Sequence, residues 1–250
     1  MNSFGNIYSE YYDLLYKDKN YENEVEYLQK EIQTELQNTN SILELGCGTG
    51  RHAKLFSEKG YSVHGIDSSQ DMLKIAKKNT NNNLSFTHAD IKNLNLNKEF
   101  DVVLSLFHVL SYQNSKEELI KTFEVAKKHL KLGGIFIFDF WYGPAVLTNL
   151  PTPRLKKLQN KDIEITRIAE PVLHIEKNIV DVNYNIFIKN KNTQNLIEKK
   201  ELHSMRYFFD PELEFICELV GFKLKNKYEW LTNKTPNINS WNVMWILKNE

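Results

Sequence analysis

Residues 41–52 read SILELGCGTGRH, an apolar run that leads through an acidic residue into glycines at positions 46, 48 and 50. Glycines at alternate positions allow the backbone to turn sharply and bring bare N–H groups against a ligand, because no Cβ stands between them. A helix is predicted to begin near Arg51, so its first N–H groups would point at the same place. The junction predicts the site of a small nucleotide-like cofactor; the alternative is a tight strand-to-helix turn that binds nothing.

The spacing of the glycines separates two kinds of cofactor site. The dinucleotide fingerprint G-x-G-x-x-G requires a glycine at position 51, where this chain has Arg51. The pattern here is G-x-G-x-G, headed by Glu44. The spacing therefore argues against a dinucleotide.

Helices and strands are predicted to alternate along most of the chain. Apolar residues at helical spacing predict a helix over residues 21–37, and residues 41–45 form the first buried strand. The further predicted strands are residues 61–67, 84–88, 100–105, 135–140, 222–230 and 241–247, and the later helices include 115–130 and 210–220. This rhythm predicts an α/β fold with a doubly wound, mostly parallel sheet of seven strands.

The rhythm changes after Trp141. Prolines interrupt the chain at 144, 151, 153 and 171, and residues 163–169, 179–188 and 196–207 alternate with the two-residue period of antiparallel strands. We therefore predict a cofactor-binding domain formed by residues 1–144 and 209–250. Residues 145–208 are predicted to be an inserted antiparallel β segment that covers the carboxyl ends of the parallel strands.

Composition limits the partners. The 32 basic and 32 acidic side chains cancel, so no net field attracts nucleic acid, and no nucleic-acid partner is expected. No apolar run approaches the ~20 residues that span a membrane, and the first ten residues lack a signal pattern. The cysteines, Cys47 and Cys217, have no metal-ligand spacing. We expect a cytoplasmic monomer or homodimer with no membrane partner and no bound metal.

Two aspartates follow neighbouring predicted strands. Asp67 ends the second strand beside the glycine turn, where its carboxylate would accept hydrogen bonds from both ribose hydroxyls; otherwise it is a helix N-terminal acid. Asp90 follows the third strand, where it would accept from an exocyclic adenine amine or else cap the next turn. Ile91, Met72 and Leu106 would enclose the adenine ring with apolar side chains.

These motifs, in this order, resemble those of class I S-adenosylmethionine-dependent methyltransferases. The shared stretches are ELGCGTG at 44–50, Asp67 with residues 68–73, HAD at 88–90, FDVV at 100–103 and LGG at 132–134. The resemblance implies a Rossmann-like methyltransferase fold, with S-adenosylmethionine as cofactor and S-adenosylhomocysteine as product. The predicted cofactor-binding residues are Tyr16, Tyr21, Glu44, Gly46, Cys47, Gly48, Gly50, Asp67, Ser68, Met72, Asp90, Ile91 and Leu106.

Looser motifs over most of the chain are similar to those of bacterial TDP-amino-sugar N,N-dimethyltransferases. They are YYDLLY at 11–16, the stretch 107–112, and the inserted β segment with its closing helix and strands. The resemblance implies that Tyr16 and Tyr21 are lid tyrosines that reach the cofactor. It also implies that Tyr112 faces the acceptor, and Tyr12 is counted among the substrate-binding residues.

The chain departs from that family at His108 and at Trp241-Asn242, which bears on the acceptor and not on the cofactor. Methyl transfer is an in-line displacement, so a neutral amine acceptor needs no base, whereas a hydroxyl or phosphate-type oxygen calls for one. His108 is the candidate base, because imidazole titrates near neutral pH, and Tyr112 is the second candidate catalytic residue. The alternative is that His108 packs or caps within its loop.

Three further residues are predicted to bind the acceptor. Trp141 ends the fifth strand and offers a stacking face; the alternative is a core or rim position. His203 and Arg206 lie on a strand of the insertion and would bind an anionic acceptor, since arginine binds phosphate with two hydrogen bonds. The alternative for Arg206 is a surface ion pair.

The sequence therefore predicts an S-adenosylmethionine-dependent methyltransferase that acts on a small molecule. The predicted acceptor is a nucleotide-linked amino sugar or another precursor of bacterial surface glycan or capsule polysaccharide. It would be methylated on nitrogen or oxygen, including a phosphoramidate-type group. The alternatives are a small-metabolite O-methyltransferase unrelated to glycans, and a non-catalytic module that binds the cofactor.

Overall fold

The computed structural model describes residues 14–17 and 19–250, which fall into two compact units. The larger unit consists of residues 20–149 and 206–250. The smaller unit consists of residues 150–205 with the described residues that precede Asn20. Tyr12, a predicted substrate-binding residue, lies outside the described residues. The predicted limits of the inserted segment, 145 and 208, stay a prediction.

Helices and strands alternate along the larger unit as predicted. The helices are α1 (Tyr21–Glu35), α2 (Arg51–Glu58), α3 (Gln70–Ala76), α4 (Lys116–Lys128), α5 (Gly143–Thr148) and α6 (Asp210–Val220). The strands of the chain are β1 (Ser41–Leu45), β2 (Ser62–Asp67), β3 (Leu84–His88), β4 (Phe100–Ser105), β5 (Leu130–Tyr142), β6 (Arg154–Gln159), β7 (Ile163–His174), β8 (Ile179–Asn190), β9 (Leu196–Phe208), β10 (Phe222–Glu229) and β11 (Asn242–Asn249).

Seven strands of the described chain form the central sheet of the larger unit, in the order β3-β2-β1-β4-β5-β11-β10. The neighbours among β1 to β5 pair in parallel, whereas β11 is antiparallel to both β5 and β10. The last residues of β5 also pair in parallel with Tyr207 and Phe208 at the end of β9. The predicted doubly wound, mostly parallel Rossmann-like sheet is confirmed. Its order brings the carboxyl ends of β1, β2 and β4 to one edge.

Buried side chains on both faces explain why β1 lies at the centre. Ile42 packs in a cluster with Val25 and Leu28 of α1, whereas Leu43 packs in a second cluster with Phe123 of α4. Successive residues of a strand point to opposite faces, so this strand binds a layer of helices on each side. Burying each such side chain contributes about 1.5–3 kcal/mol, which is why the strand is apolar at nearly every position.

The fifth strand begins earlier than predicted. A strand was predicted at 135–140, but β5 begins at Leu130 and runs through Gly133 and Gly134. Its pairing with β4 shifts at this point, and Gly133 has a φ of 78°. A Cβ at Gly134 would lie 2.8 Å from the carbonyl oxygen of Asp101. Gly133 therefore supplies the left-handed conformation at this irregularity, and Gly134 avoids a collision that a side chain would cause.

The smaller unit is built from four neighbouring strands, in the order β9-β8-β7-β6. β7 is antiparallel to both β6 and β8. β6 was not predicted, because its sequence RLKKLQ lacks regular alternation and it pairs on one side only, with β7. Ile165 of β7 and Ile186 of β8 are buried in one cluster with Leu14 and Leu15.

Candidate functional site

The three glycines of the turn after β1 all adopt left-handed backbone conformations. Gly46, Gly48 and Gly50 have φ angles of 73°, 55° and 74°, a region that other residues rarely enter. The N–H groups of Gly46 and Cys47 donate to the carbonyl oxygen of Ile66 at 2.7 and 2.9 Å, which ties the turn to β2. Gly50 then precedes the first residue of α2. The turn has the shape that the sequence predicts for a ligand cradle.

Close neighbours leave no room for a side chain at two of these glycines. A Cβ at Gly46 would lie 2.5 Å from both methyl carbons of Val109, in the loop after β4. A Cβ at Gly50 would lie 2.6 Å from the ring of Phe86. Cys47 is buried within the turn, and burial raises the pKa of its thiol well above the usual range. Its small side chain therefore fills space and does not act as a nucleophile.

Asp67 connects the glycine turn to the start of α3. Its Oδ2 accepts a hydrogen bond from the N–H of Gly48 at 2.7 Å, and its Oδ1 accepts from the N–H of Ser69 at 2.7 Å. Each carboxylate oxygen can accept a second hydrogen bond, so both could still accept from ribose hydroxyls. The contact with ribose stays a prediction. Ser68, which lies between Asp67 and Ser69 in the sequence, is exposed.

A buried cluster of ionisable side chains lies behind the turn. Glu44, at the end of β1, is 2% exposed, and burial raises its pKa to about 8, helped by the nearby charge of Asp67. His52 Nδ1 lies 3.7 Å from Glu44 Oε1, and its Nε2 lies 2.7 Å from Glu24 Oε2 on α1. The Tyr21 ring meets the edge of the His52 ring at a centroid distance of 4.9 Å. Sequence reasoning missed this cluster, because Glu24 is 28 residues from His52.

The two predicted lid tyrosines lie in different units. Tyr21 is buried at the start of α1, with the guanidinium of Arg51 5.2 Å from its ring centroid. Tyr16 belongs to the smaller unit, where it hydrogen-bonds Arg167 and where burial raises its pKa. Their contact with the cofactor stays a prediction.

The predicted adenine-binding residues have partners of their own. Asp90 is exposed, and its Oδ1 accepts from the N–H of Lys92 at 2.9 Å, the capping contact given as the alternative reading. Ile91 and Leu106 are buried in two different core clusters, and Met72 is partly buried on α3. The structure does not bring these four side chains into one cluster, so their role in binding adenine stays a prediction.

His108 and Asp139 meet at the carboxyl ends of β4 and β5. His108 Nδ1 lies 2.7 Å from Asp139 Oδ2, off the line of an ideal hydrogen bond, and the backbone N–H of His108 donates to both carboxylate oxygens at 3.3 Å. The Asp139 side chain is 1% exposed and that of His108 15%. Phe107 and His108 have φ angles of 63° and 62°, which costs about 1–2 kcal/mol at each non-glycine residue. The backbone is thus held in an unfavourable conformation that aims His108 at the carboxylate.

Aromatic side chains surround this pair. The ring of Trp141 lies 6.1 Å from that of His108, and Trp241 packs on Trp141 at 5.7 Å. Tyr112 ends the short helical turn Val109–Tyr112 and is 45% exposed. The structure thus places Trp141 beside His108, while the roles of Tyr112 and Trp141 in the reaction stay predictions.

Arg206 and His203, predicted to bind an anionic acceptor, lie in different units. The guanidinium of Arg206 pairs with Glu212 and donates to the carbonyl oxygen of Asn114 at 3.4 Å. His203 Nε2 lies 3.3 Å from Glu201 Oε2 in the smaller unit. The alternative given for Arg206 was a surface ion pair. Arg206 does form an ion pair, with Glu212, but its side chain is only 11% exposed and so is not a surface residue.

Three features fit S-adenosylmethionine at the turn. The turn has no Cβ at positions 46, 48 and 50, so a ligand can approach its backbone, although the N–H groups of residues 46–48 and 50 already donate within the protein. Asp67 retains hydrogen-bond capacity at the end of β2. Glu44 Oε2 is buried, and among the described residues no hydrogen-bond donor reaches it. Within the same part of the chain, no group of three His, Cys, Asp or Glu side chains is placed to hold a metal ion, and no helix is long and apolar enough to cross a membrane.

Comparisons with known proteins bear on the family and the fold. Residues 42–134 match the family model of a methyltransferase domain. The dTDP-3-amino-3,4,6-trideoxy-alpha-D-glucopyranose N,N-dimethyltransferase of Streptomyces venezuelae is 21% identical over 220 residues, covering 87% of this chain and 91% of that protein.

Solved structures share the fold over nearly the whole chain. A S-adenosylmethionine-dependent methyltransferase from Clostridium acetobutylicum ATCC 824 aligns with a TM-score of 0.83 and 21% identity, over 97% of this chain and 98% of the other. S-adenosylmethionine-bound CalS10, an amino pentose methyltransferase from Micromonospora echinaspora, aligns with a TM-score of 0.78 and 16% identity, over 98% and 97%. The predicted resemblance, enzyme class and methyl donor are confirmed.

Proposed function

We propose that this S-adenosylmethionine-dependent methyltransferase, with its methyltransferase domain at residues 42–134, methylates a nucleotide-linked amino sugar or another precursor of bacterial surface polysaccharide. The methylated atom is a nitrogen or oxygen that gives up a proton to His108. The pairing of His108 with Asp139 carries this proposal, because a buried carboxylate beside an imidazole is the arrangement of a general base. The names of the relatives, several of which methylate amino sugars, favour that acceptor class.

The chain's own residues prepare the reaction. S-adenosylmethionine supplies an electrophilic methyl group on a sulfonium and is released as S-adenosylhomocysteine. In this proposal the glycine turn, which has no Cβ at positions 46, 48 and 50, and the carboxylate of Asp67 hold and orient the bound cofactor. Because the turn contacts Val109 through Gly46, the residue after His108 packs directly on the cofactor cradle.

The proton of the acceptor goes to His108. Asp139 accepts hydrogen bonds only, so it favours the tautomer in which His108 carries its proton on Nδ1 and leaves Nε2 free to accept. As the acceptor's lone pair forms the bond to the methyl carbon, the acceptor's proton passes to Nε2, and the buried Asp139 carboxylate stabilises the resulting imidazolium. A hydroxyl or phosphoramidate-type acceptor needs this step, whereas an ammonium acceptor has to lose its proton to His108 before its nitrogen has a lone pair to attack with.

The protein's location and pathway are part of the same proposal. The described cysteines, Cys47 and Cys217, are both buried and free, which suits a reducing cytoplasm. Nucleotide-linked sugars are precursors of polysaccharides, so the acceptor places the reaction in polysaccharide biosynthesis. A monomer and a homodimer both remain consistent with the proposal.

A panel assay tests the function. The purified protein is incubated with S-adenosylmethionine and separate nucleotide sugars, amino sugars, phosphoramidates and glycan-unrelated small alcohols, and products are analysed by mass spectrometry for added methyl groups. We expect methylation of a nucleotide-linked or phosphoramidate-bearing acceptor that is lost in His108→Ala. His174→Ala is the matched control, because His174 also pairs with an aspartate, Asp181, at 3.0 Å but lies in the smaller unit. Methylation of the unrelated alcohols alone would establish the small-metabolite alternative.

A further inference from the structure

One face of the smaller sheet carries a group of cationic and aromatic side chains. Arg167 pairs in register with Lys156 of β6 and Ile186 of β8, and Ala169 pairs with Arg154 and Tyr184. Residues paired across antiparallel strands, and residues two apart on one strand, share a face. Arg154, Lys156, Arg167 and Tyr184 therefore all lie on one face of the sheet.

Strand β9 adds to the same face. The ring of His203 meets the edge of the Tyr184 ring at 5.2 Å, which places His203 on that face, together with Glu201 and Lys199 at the alternate positions. Lys199 Nζ lies 2.6 Å from Glu201 Oε1. The hydrogen bond with His203 and the charge of Lys199 lower the pKa of Glu201 to about 2, although burial opposes them.

The charges on this face do not balance. The described cations on this face are Arg154, Lys156, Arg167 and Lys199. Glu201 supplies a carboxylate on the same face, and it already pairs with Lys199 and His203. An excess of positive charge on one surface attracts an anion. This excess favours an anionic ligand on the part of the face that the buried apolar residues Ile165 and Ile186 do not occupy.

Arg167 is the best-placed of these cations. Its guanidinium lies 4.6 Å from the ring centroid of Tyr184, and Tyr16 shares a hydrogen bond with it. No carboxylate of the described residues lies within ion-pair distance of Arg167, and its Nε is buried with no acceptor in that part of the chain. A buried donor without a partner destabilises the protein, and a ligand oxygen would offset that cost. Stacking on Tyr184 fixes the guanidinium plane in advance.

Arg206, the arginine that the sequence favoured, is less suited to this task. Its guanidinium already pairs with Glu212 and with the Asn114 carbonyl, so an anion would have to displace a carboxylate. Arg167 has no such competitor among the described residues. The rings of His203 and Tyr184 meet edge to face, and the guanidinium of Arg167 lies over the Tyr184 ring.

We propose that Arg167, stacked on Tyr184 and hydrogen-bonded to Tyr16, binds a phosphate-type oxyanion of the kind that a nucleotide-linked acceptor carries. The inference rests on the proposed function, because it concerns that function's acceptor. The shared chemistry is a tetrahedral phosphorus oxyanion, whether it belongs to a nucleoside diphosphate or to a phosphoramidate. Arginine can bind two oxygens of such a group at once, whereas lysine offers a single point charge.

Calorimetric titration tests this subsite separately from methylation. The full chain, saturated with S-adenosylhomocysteine, is titrated with UDP, dTDP, GDP, CDP, phosphoramidate and inorganic phosphate. We expect one nucleoside diphosphate or phosphoramidate to bind more tightly than inorganic phosphate. Arg167→Met should weaken that binding at least tenfold, and Arg167→Lys, which keeps the charge but loses the second hydrogen bond, should give an intermediate loss. Lys200→Met is the control, because Lys200 is exposed on the opposite face of β9.

The outcomes separate this inference from the proposed function. Unchanged affinity for S-adenosylhomocysteine shows that the Arg167 variants are folded. Binding of none of the anions, or equal binding by wild type and Arg167→Met, would overturn the subsite. If a nucleoside diphosphate binds through Arg167 but no nucleotide-linked acceptor is methylated, the subsite stands and the proposed acceptor falls. If a nucleotide-linked amino sugar is methylated with the same KM by wild type and Arg167→Met, the methyltransferase function stands and the subsite falls.

Discussion

Val109 lies against Gly46, so closely that a Cβ at Gly46 would be 2.5 Å from both methyl carbons of Val109. The glycine belongs to the turn after β1, and the valine follows His108 in the loop after β4. The proposed cofactor cradle and the proposed base are therefore joined by a contact that only glycine permits. A change at either residue is expected to disturb both functions.

Gly46→Ala is expected to destabilise the fold. The substitution introduces the collision with Val109 and places a Cβ at a φ of 73°, so we expect a loss of about 2–4 kcal/mol in the free energy of unfolding. Urea denaturation measures the loss. The double variant Gly46→Ala, Val109→Ala should recover only the part of the lost unfolding free energy that comes from the collision. Full recovery would show that the backbone angle at position 46 contributes nothing to the loss.

Asp139→Asn is expected to impair catalysis without impairing cofactor binding. Asparagine is similar in shape but removes the negative charge that favours a proton on Nδ1 of His108, so kcat should fall by about 10²-fold or more at neutral pH. Affinity for S-adenosylmethionine, measured by calorimetry, should stay within about twofold. A variant with normal kcat and an unchanged pH profile would exclude His108 and Asp139 as the base pair.

Asp67→Ala is expected to weaken binding of S-adenosylhomocysteine at least about tenfold, or ~1.4 kcal/mol. The variant loses the proposed ribose contact and also the acceptor for the N–H of Gly48, so the turn itself loosens. Calorimetry on Asp67→Ala and Asp67→Asn separates the two effects, because asparagine keeps one acceptor oxygen. Asp71→Asn, an exposed change on α3, serves as the control. Unaltered affinity in Asp67→Ala would show that this carboxylate does not hold the cofactor.

Glu44 is expected to make the folded protein less stable as the pH becomes alkaline. Its pKa is raised from the ordinary value of 4.5 to about 8, so the folded state favours the neutral acid. The stabilising effect of the protonated form is complete below pH 4.5 and is lost as pH rises through 8, by about 3–5 kcal/mol in total. Glu44→Gln should therefore raise the melting temperature relative to wild type above pH 8, and much less at pH 5. Equal differences at both pH values would mean that Glu44 titrates normally.

Asp101 is expected to make the folded protein less stable as the pH becomes acidic. Burial alone would raise its pKa, but hydrogen bonds from Lys131, Asn40 and Ser41 outweigh it and lower the pKa to about 2. The contribution is present above pH 3.8 and is lost as pH falls towards 2; it amounts to about 1–2 kcal/mol, because the side chain is only partly shielded from solvent. Asp101→Asn should lower the free energy of unfolding at pH 7 and have little effect near pH 2, as acid denaturation curves would show.

The order of helices and strands, the glycine turn and the position of Asp67 were all predictable from the sequence. Each depends on a short window: apolar periodicity identifies strands and helices, and glycine spacing identifies a turn that needs left-handed residues. The exceptions among the strands have local reasons. Gly133 and Gly134 lie inside β5 where its register with β4 shifts, and β6 was not predicted because RLKKLQ shows no regular alternation.

Tertiary structure alone decided which side chains meet. His108 and Asp139 are 31 residues apart, and their approach depends on the parallel pairing of β4 with β5 and on the left-handed backbone at His108. Whether an arginine is already paired likewise depends on the fold: Arg206 reaches Glu212 on the next helix, whereas Arg167 faces Tyr184 across a strand pair. Charge and residue type are written in the sequence. Register, burial and the partner of each charged group arise only when distant segments pack, because these set the distances and the desolvation on which site chemistry depends.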